Sequence, residues 1–270
     1  MEQSNDIYIK KFDVSQVIPG KVAVIIGGNN TGKSFLVKDL LYHNKDIPIG
    51  TVISCTESVN PFYSDILPSI LIHDEYYPEI IENVCRRQRM VIKNRDIEKA
   101  TYGGESKIDP SAFIIFDDWI DNKWVRDKNI RELFMNRRMK MLFLLTMQFA
   151  LGIPPDLRVN VDYVFILREN CISNRRRIWE HWAGMFPTFE MFCQVLDQCT
   201  ENFECLVIDN SAQSNKLEDQ VFWYKADVHQ ITTLKDQCLK MLMEKKRKTI
   251  PIDKLPGFDF LPKHLHTCLT

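Results

Sequence analysis

Residues 27–34 read GGNNTGKS. The pattern G-x-x-x-x-G-K-[ST] is met by Gly27, Gly32, Lys33 and Ser34. Each residue type has a physical reason to stand where it does. Glycines let the backbone wrap closely around phosphate groups. The loop N–H groups and the start of the following helix turn the positive ends of their dipoles toward an anion. The lysine reaches the β- and γ-phosphates, and the serine hydroxyl faces Mg²⁺. Such a loop needs a buried strand before it and a helix after it. Val22–Ile26 is a short, unbroken apolar run, as expected of a strand covered on both faces of a parallel sheet. Lys33–His43 follows with Phe35, Leu36, Leu40 and Leu41 on its apolar side, which predicts a helix. We therefore expect Gly27, Gly28, Asn29, Asn30, Thr31, Gly32, Lys33 and Ser34 to bind the phosphates of ATP, with Ser34 also on the metal. A chance Gly-rich turn is the alternative.

Outward from this loop, apolar runs alternate with helix-like stretches. Thr51–Cys55 and Ile70–His73 are strand candidates. Pro78–Arg95 predicts a helix with proline near its start, and the polar stretch Lys99–Pro110 a loop. Ala112–Phe116, Met141–Met147, Asp162–Leu167 and Glu204–Ile208 are further strands, separated by helical patterns at Lys128–Met139, Ser173–Ala183 and Thr188–Cys199. Strands alternating with helices predict βαβ units: an α/β fold with a mostly parallel central sheet and helices on both faces. We expect an ATP-binding core over residues 1–215. Residues 216–270 would form a C-terminal extension containing a strand, a helix at Thr232–Lys248 and a Pro-containing tail.

The ends of two strands carry chemistry. FIIFDD at 113–118 is an apolar strand delivering two carboxylates, the form of a Walker B element. Asp117 would hold Mg²⁺ through a water, and Asp118 would orient and polarise the attacking water. A solvated acidic turn is the alternative. LLTMQ at 144–148 ends in an amide. A strand beside the Walker B strand would bring Gln148 to the γ-phosphate; otherwise Gln148 merely caps its strand. Arg137 and Arg138 precede that strand and could act as a finger on a neighbour's γ-phosphate, make surface ion pairs or grip DNA. Arg137 is the first candidate, with Arg158 and Arg168 in reserve. Arg175, Arg176 and Arg177 read as a solvated helix face that could also touch DNA phosphates.

The whole chain sets limits on these readings. It has 270 residues, 45% of them hydrophobic, enough for one sizeable core. Lys plus Arg number 35 against 36 acids, so no global basicity advertises nucleic acid. A DNA contact has to come from local patches or from a ring of subunits that concentrates them. The eight cysteines include no C-x-x-C pair, which argues against a zinc or disulfide framework. The tail His264-Leu265-His266-Thr267-Cys268 could bind metal, but reads better as a ragged terminus. The N-terminal stretch has no apolar h-region, and the apolar run near Met139–Gln148 is too short to span a bilayer. We expect a soluble, intracellular protein with no transmembrane segment.

Taken together, GGNNTGKS at 27–34, FIIFDDW at 113–119, NRRMKMLFLLTMQ at 136–148 and IPPDLRVNVDYVFILREN at 153–170 resemble the genome-packaging ATPases of nucleocytoplasmic large DNA viruses, the poxvirus-type branch of the FtsK/HerA superfamily of P-loop NTPases. The resemblance covers roughly residues 15–210. It implies an ATP- and Mg²⁺-dependent motor that moves viral double-stranded DNA into a capsid. Such a motor works as a hexameric or pentameric ring, beside a capsid or inner-membrane protein, in the virion or the host cytoplasm. The family motif before the strand that ends in Gln148 usually reads Gly-Arg-His; here it is Asn136-Arg137-Arg138. Three other readings stay open at this point: a cellular-type DNA translocase or helicase of the same superfamily, a P-loop kinase acting on a small molecule, and a nucleotide-binding scaffold that does not hydrolyse.

Overall fold

The fold was analysed in a computed structural model that describes residues 8–118 and 124–229, together with positions 236, 238 and 239. Of the helix expected at Thr232–Lys248 the structure describes positions 236, 238 and 239, each helical, and the tail around His264–Cys268 lies outside the described residues.

In chain order the strands are β1 (Lys10–Lys11), β2 (Val22–Ile26), β3 (Gly50–Ser54), β4 (Ile72–His73), β5 (Ala112–Asp117), β6 (Met141–Met147), β7 (Tyr163–Ile166), β8 (Glu204–Asp209) and β9 (Val221–Lys225). The helices are α1 (Lys33–His43), α2 (Pro78–Thr101), α3 (Lys128–Met135), α4 (Pro155–Arg158), α5 (Ile172–Trp182), α6 (Phe189–Cys199) and α7 (Leu217–Gln220). The strands form one nine-stranded sheet in the order β1-β9-β8-β7-β2-β6-β5-β3-β4. β8 runs antiparallel to both of its neighbours. All other pairings are parallel. The expected mostly parallel sheet is therefore present.

The central strands are apolar on both faces because both faces are covered. In β2, Val22, Val24 and Ile26 join the core on one side, with residues of α2, α3, α5 and α6. Ala23 and Ile25 join the core on the other, with Leu36, Val37, Leu40 and Leu41 of α1. A fully buried Val, Leu, Ile or Phe stabilises by about 1.5–3 kcal/mol, so this double layer carries most of the folding free energy.

Several boundaries differ from the sequence expectation. α2 runs on to Thr101, through the start of the stretch expected as a loop. The helical pattern at Lys128–Met139 breaks at Asn136. The Asn136 side chain accepts from the Arg138 N–H and caps a separate 3-10 turn over Arg137–Met139. β9, within the stretch expected as an extension, is hydrogen-bonded between β1 and β8. Its aromatic run Phe222-Trp223-Tyr224 is rich in strand-favouring residues. β1 has only two lysines to signal it and exists because β9 offers it an edge.

Two consequences place the site. β6 lies between β2 and β5, so the residues following β2, β6 and β5 emerge side by side. The residues preceding these strands gather at the opposite pole, a five-residue strand or roughly 17 Å away.

Candidate nucleotide site

The loop after β2 closes on itself. The Gly27 N–H donates to the Met147 carbonyl at 3.1 Å, and the Thr31 hydroxyl donates to the Gly28 carbonyl at 2.8 Å. A Cβ on Gly27 would stand 2.6 Å from Thr31 Oγ1 and 2.9 Å from Leu167 Cβ, so this position accepts no side chain. Gly32 caps α1 with φ at 106°, a left-handed conformation that glycine adopts without strain. Asn29 and Asn30 lie exposed at the tip, and Asn30 also has positive φ, which asparagine tolerates better than most residues. Lys33 is buried, with its ammonium folded back on the loop. It donates to the Gly27 carbonyl at 2.9 Å and the Gly28 carbonyl at 3.0 Å, and lies 3.3 Å from Asp118 Oδ1. Ser34 follows in the first turn of α1.

β5 carries Asp117 into the same place. The Thr146 hydroxyl donates to Asp117 Oδ1 at 2.7 Å and the Ser54 hydroxyl to Oδ2 at 3.2 Å. Burial raises the Asp117 pKa above the ordinary carboxylate value, and the neighbouring Asp118 charge adds to the rise, while the Thr146 and Ser54 bonds oppose it. The Tyr63 hydroxyl is buried beside Asp117, and desolvation pushes its pKa well up. Asp118 ends the strand with φ at 48°, its N–H held by Thr146 Oγ1 at 2.8 Å. Positive φ in a non-glycine residue turns its carboxylate away from the strand line and toward the loop. There Gln148 Nε2 donates to Asp118 Oδ2 at 3.1 Å. Lys33, Asp118 and Gln148, from three different segments, thus meet around one carboxylate. Asp118 Oδ1 accepts no hydrogen bond.

Three supporting residues escaped the sequence reading: Ser54, Tyr63 and Thr146. Thr146 had a signal, being the one hydroxyl within the apolar β6 run. Ser54 is legible only through register, because β3 and β5 pair it with Asp117. Tyr63 is placed by Glu57, whose carboxylate accepts the backbone N–H groups of Phe62, Tyr63 and Ser64.

The arginines separate. Arg137 lies at the opposite pole from the loop of its own chain. Its Nη1 donates to Asp162 Oδ1 at 2.6 Å, with its side chain 57% exposed. Arg138 is exposed nearby. Arg158 packs its guanidinium over the Trp182 ring at 5.8 Å. Arg168 stands at the loop's own pole, exposed just beyond β7, and donates to Asn170 Oδ1 at 3.2 Å. Arg175 departs from the expected solvated face. It is buried, its Nη1 and Nη2 donate to the two oxygens of Asp197, and its Nε donates to the Glu169 carbonyl. Its guanidinium is thus committed within the chain, whereas Arg176 and Arg177 remain exposed.

A second polar cluster sits farther along α1. The buried Asp39 accepts from the Tyr224 hydroxyl and bonds His229 Nε2 at 2.7 Å, with His43 Nε2 at 3.7 Å. The His229 ring stacks on Tyr42 at 3.6 Å. These contacts latch the segment after β9 onto the helix that follows the loop.

No family model matches the chain. The uncharacterized protein L437 of Acanthamoeba polyphaga mimivirus is 38% identical over 225 residues, covering 82% of this chain and 78% of that protein. The uncharacterized protein 075L of Invertebrate iridescent virus 6 is 37% identical over 251 residues, covering 88% of this chain and 93% of that protein. The chain belongs to this family of viral proteins. Among solved structures, the pCW3 conjugation coupling protein TcpA, determined with ATPγS, aligns over 91% of this chain and 72% of its own, with a TM-score of 0.52 and 11% identity. The genome packaging NTPase B204 from Sulfolobus turreted icosahedral virus 2, in complex with AMPPCP, aligns over 78% of this chain and 100% of its own, with a TM-score of 0.49 and 16% identity. The viral protein has the α/β fold of FtsK/HerA-like P-loop ATPases. Among its described residues, no helix is long and apolar enough to cross a membrane.

Proposed function

We propose that this viral protein is an ATP-hydrolysing motor that translocates double-stranded DNA into a capsid, of the poxvirus-type packaging branch, working as a homo-oligomeric ring. The observation that carries the ATPase reading is the convergence of Lys33 and Gln148 on Asp118, one residue past the buried, hydroxyl-supported Asp117. The site fits Mg–ATP. Lys33 is held only by carbonyls and a carboxylate that it can exchange for phosphate oxygens. Asp118 Oδ1 has the Lys33 ammonium at 3.3 Å and no hydrogen bond, so it can take one from water once Lys33 turns to the phosphates.

In this reading the loop N–H groups and Lys33 bind the β- and γ-phosphates. Ser34 and Asp117 would hold Mg²⁺. The metal supplies charge neutralisation between the phosphates. Asp118 accepts a proton from the attacking water at its carboxylate oxygen, and Gln148 keeps that carboxylate and the water in line. A carboxylate poised on water, with an amide beside it, favours hydrolysis over phosphate transfer to a small-molecule acceptor. DNA enters the proposal through the sequence resemblance. The ring would present arginines such as Arg137 to the neighbouring subunit's nucleotide.

The test is turnover by the purified protein, with and without duplex DNA. Lys33→Ala should abolish nucleotide binding or turnover. Asp118→Asn should bind ATP and hydrolyse it about 10²–10⁴-fold more slowly, the usual worth of a general base. Near-normal turnover in either variant defeats the assignment. Stimulation by a small acceptor and not by DNA would point to a kinase.

A further inference from the structure

α6 passes into β8 through a tight turn, Glu201-Asn202-Phe203-Glu204. The Glu204 N–H donates to the Glu201 carbonyl at 2.8 Å. Both central residues have positive φ, 50° at Asn202 and 63° at Phe203. Two consecutive positive φ values are the mark of a type I′ turn, whose central positions favour Asn and then Gly. Asn202 conforms. Phe203 does not: a bulky aromatic occupies the position where glycine belongs, and there it is strained. Burial does not compensate, since Phe203 is 71% exposed. A residue that is both strained and exposed serves neither local conformation nor the core.

Its location supplies a reason. β8 is antiparallel to β7, so the start of β8 lies at the pole where the parallel strands end, beside the phosphate loop. Phe203 Cδ1 lies 3.6 Å from where a Cβ on Gly32 would stand, and Leu167 Cδ2 lies 4.0 Å from that point. The ring therefore flanks the residue that caps α1, next to Lys33 and Ser34. A nucleotide whose phosphates sit on that helix start has its base within reach of this side.

We infer that Phe203 is the stacking platform for the purine base of the nucleotide. This rests on the reading of residues 27–34 as a triphosphate site. The strained turn holds the ring out over the loop, so little ordering remains to be done when a base arrives.

The experiment compares ATP with inorganic tripolyphosphate, which has the phosphates and no base, by calorimetric titration in the presence of Mg²⁺. Phe203→Ala should weaken ATP binding about tenfold to a hundredfold, the worth of a base–aromatic stack, and leave tripolyphosphate binding unchanged. Phe203→Trp should hold ATP affinity at or above wild type. Phe203→Gly, which suits the turn, should melt at or above the wild-type temperature while binding ATP as weakly as Phe203→Ala. Unchanged ATP affinity in Phe203→Ala overturns the inference, as does an equal loss for ATP and tripolyphosphate. Failure of wild type to bind tripolyphosphate would instead indict the phosphate site itself.

Discussion

At the start of β2 and β7, the buried carboxylate of Asp162 is answered on both oxygens. Lys21 Nζ at 3.1 Å and Arg137 Nη1 at 2.6 Å reach Oδ1, and the Val22 N–H at 2.9 Å reaches Oδ2. At the far ends of these strands and of β5, the carboxylates of Asp117 and Asp118 are neighbours, and among the described residues Lys33 pairs with Asp118 alone of the two, at 3.3 Å. Burial raises the Asp117 pKa, and Asp118 keeps a positive φ and an oxygen without a hydrogen bond. The same sheet thus resolves its buried charge at one pole and leaves it unresolved at the other. Charge that is fully paired within the chain makes structure, whereas charge left short of partners waits for a ligand. Variants at the two poles should therefore behave in opposite ways, and their effects on folding rank accordingly.

Asp162→Ala should cost the most. It leaves the buried Val22 N–H without its acceptor, a loss of about 1–3 kcal/mol, and it removes the shared partner of Lys21 and Arg137. Denaturant titration should show this loss, with nucleotide binding intact in the protein that remains folded. A variant with unchanged stability and impaired binding would reverse the assignment of the two poles.

Arg137→Ala should cost less than about 1 kcal/mol, because the Arg137 side chain is largely exposed and the buried Asp162 keeps Lys21 and the Val22 N–H. A spare arginine of this kind can leave its carboxylate cheaply. Its own phosphate loop is a strand length away, so any action on a phosphate has to be on a neighbour's. The proposed ring then expects turnover to fall about 10³–10⁵-fold, the worth of an arginine finger. Mixing Arg137→Ala with Lys33→Ala subunits should restore part of the activity. Unimpaired turnover in Arg137→Ala would make Asp162 its whole purpose and pass the finger to Arg138 or to Arg168, which stands at the loop's pole.

The site pole was far more legible in the sequence than its counterpart. Glycines, a lysine and an acidic strand end are demanded by short-range geometry, so GGNNTGKS and FIIFDD announce themselves, and the apolar runs fixed seven of the strands with errors of a residue or two at most ends. The clamp at Asp162 joins residues far apart in the chain, and nothing local marks it. The same holds for Arg175, whose charge looked solvated until α6 brought Asp197 beside it. β1 was silent because two lysines on an edge need no apolar pattern. What escaped the sequence was the long-range answer to a charge.

The smallest expected effect, and the most telling, is at Asp117. Its pKa is raised in the folded chain, first by burial and then by Asp118. A carboxylate with a folded pKa above its unfolded value favours folding while protonated, and that contribution is lost as pH rises through the folded pKa. At neutral pH without metal, the Asp117 charge therefore opposes folding. Asp117→Asn removes the charge yet keeps an oxygen to accept from Thr146, so the metal-free variant should melt at or slightly above the wild-type temperature near pH 7. The difference should shrink as pH falls toward the ordinary carboxylate value of about 4, where the wild-type group is protonated as well. Adding Mg²⁺ with ATP should raise the wild-type melting temperature and leave the variant's nearly unmoved. A clear loss of stability in metal-free Asp117→Asn would mean that this carboxylate, like Asp162, is held for structure, and the contrast between the poles would collapse.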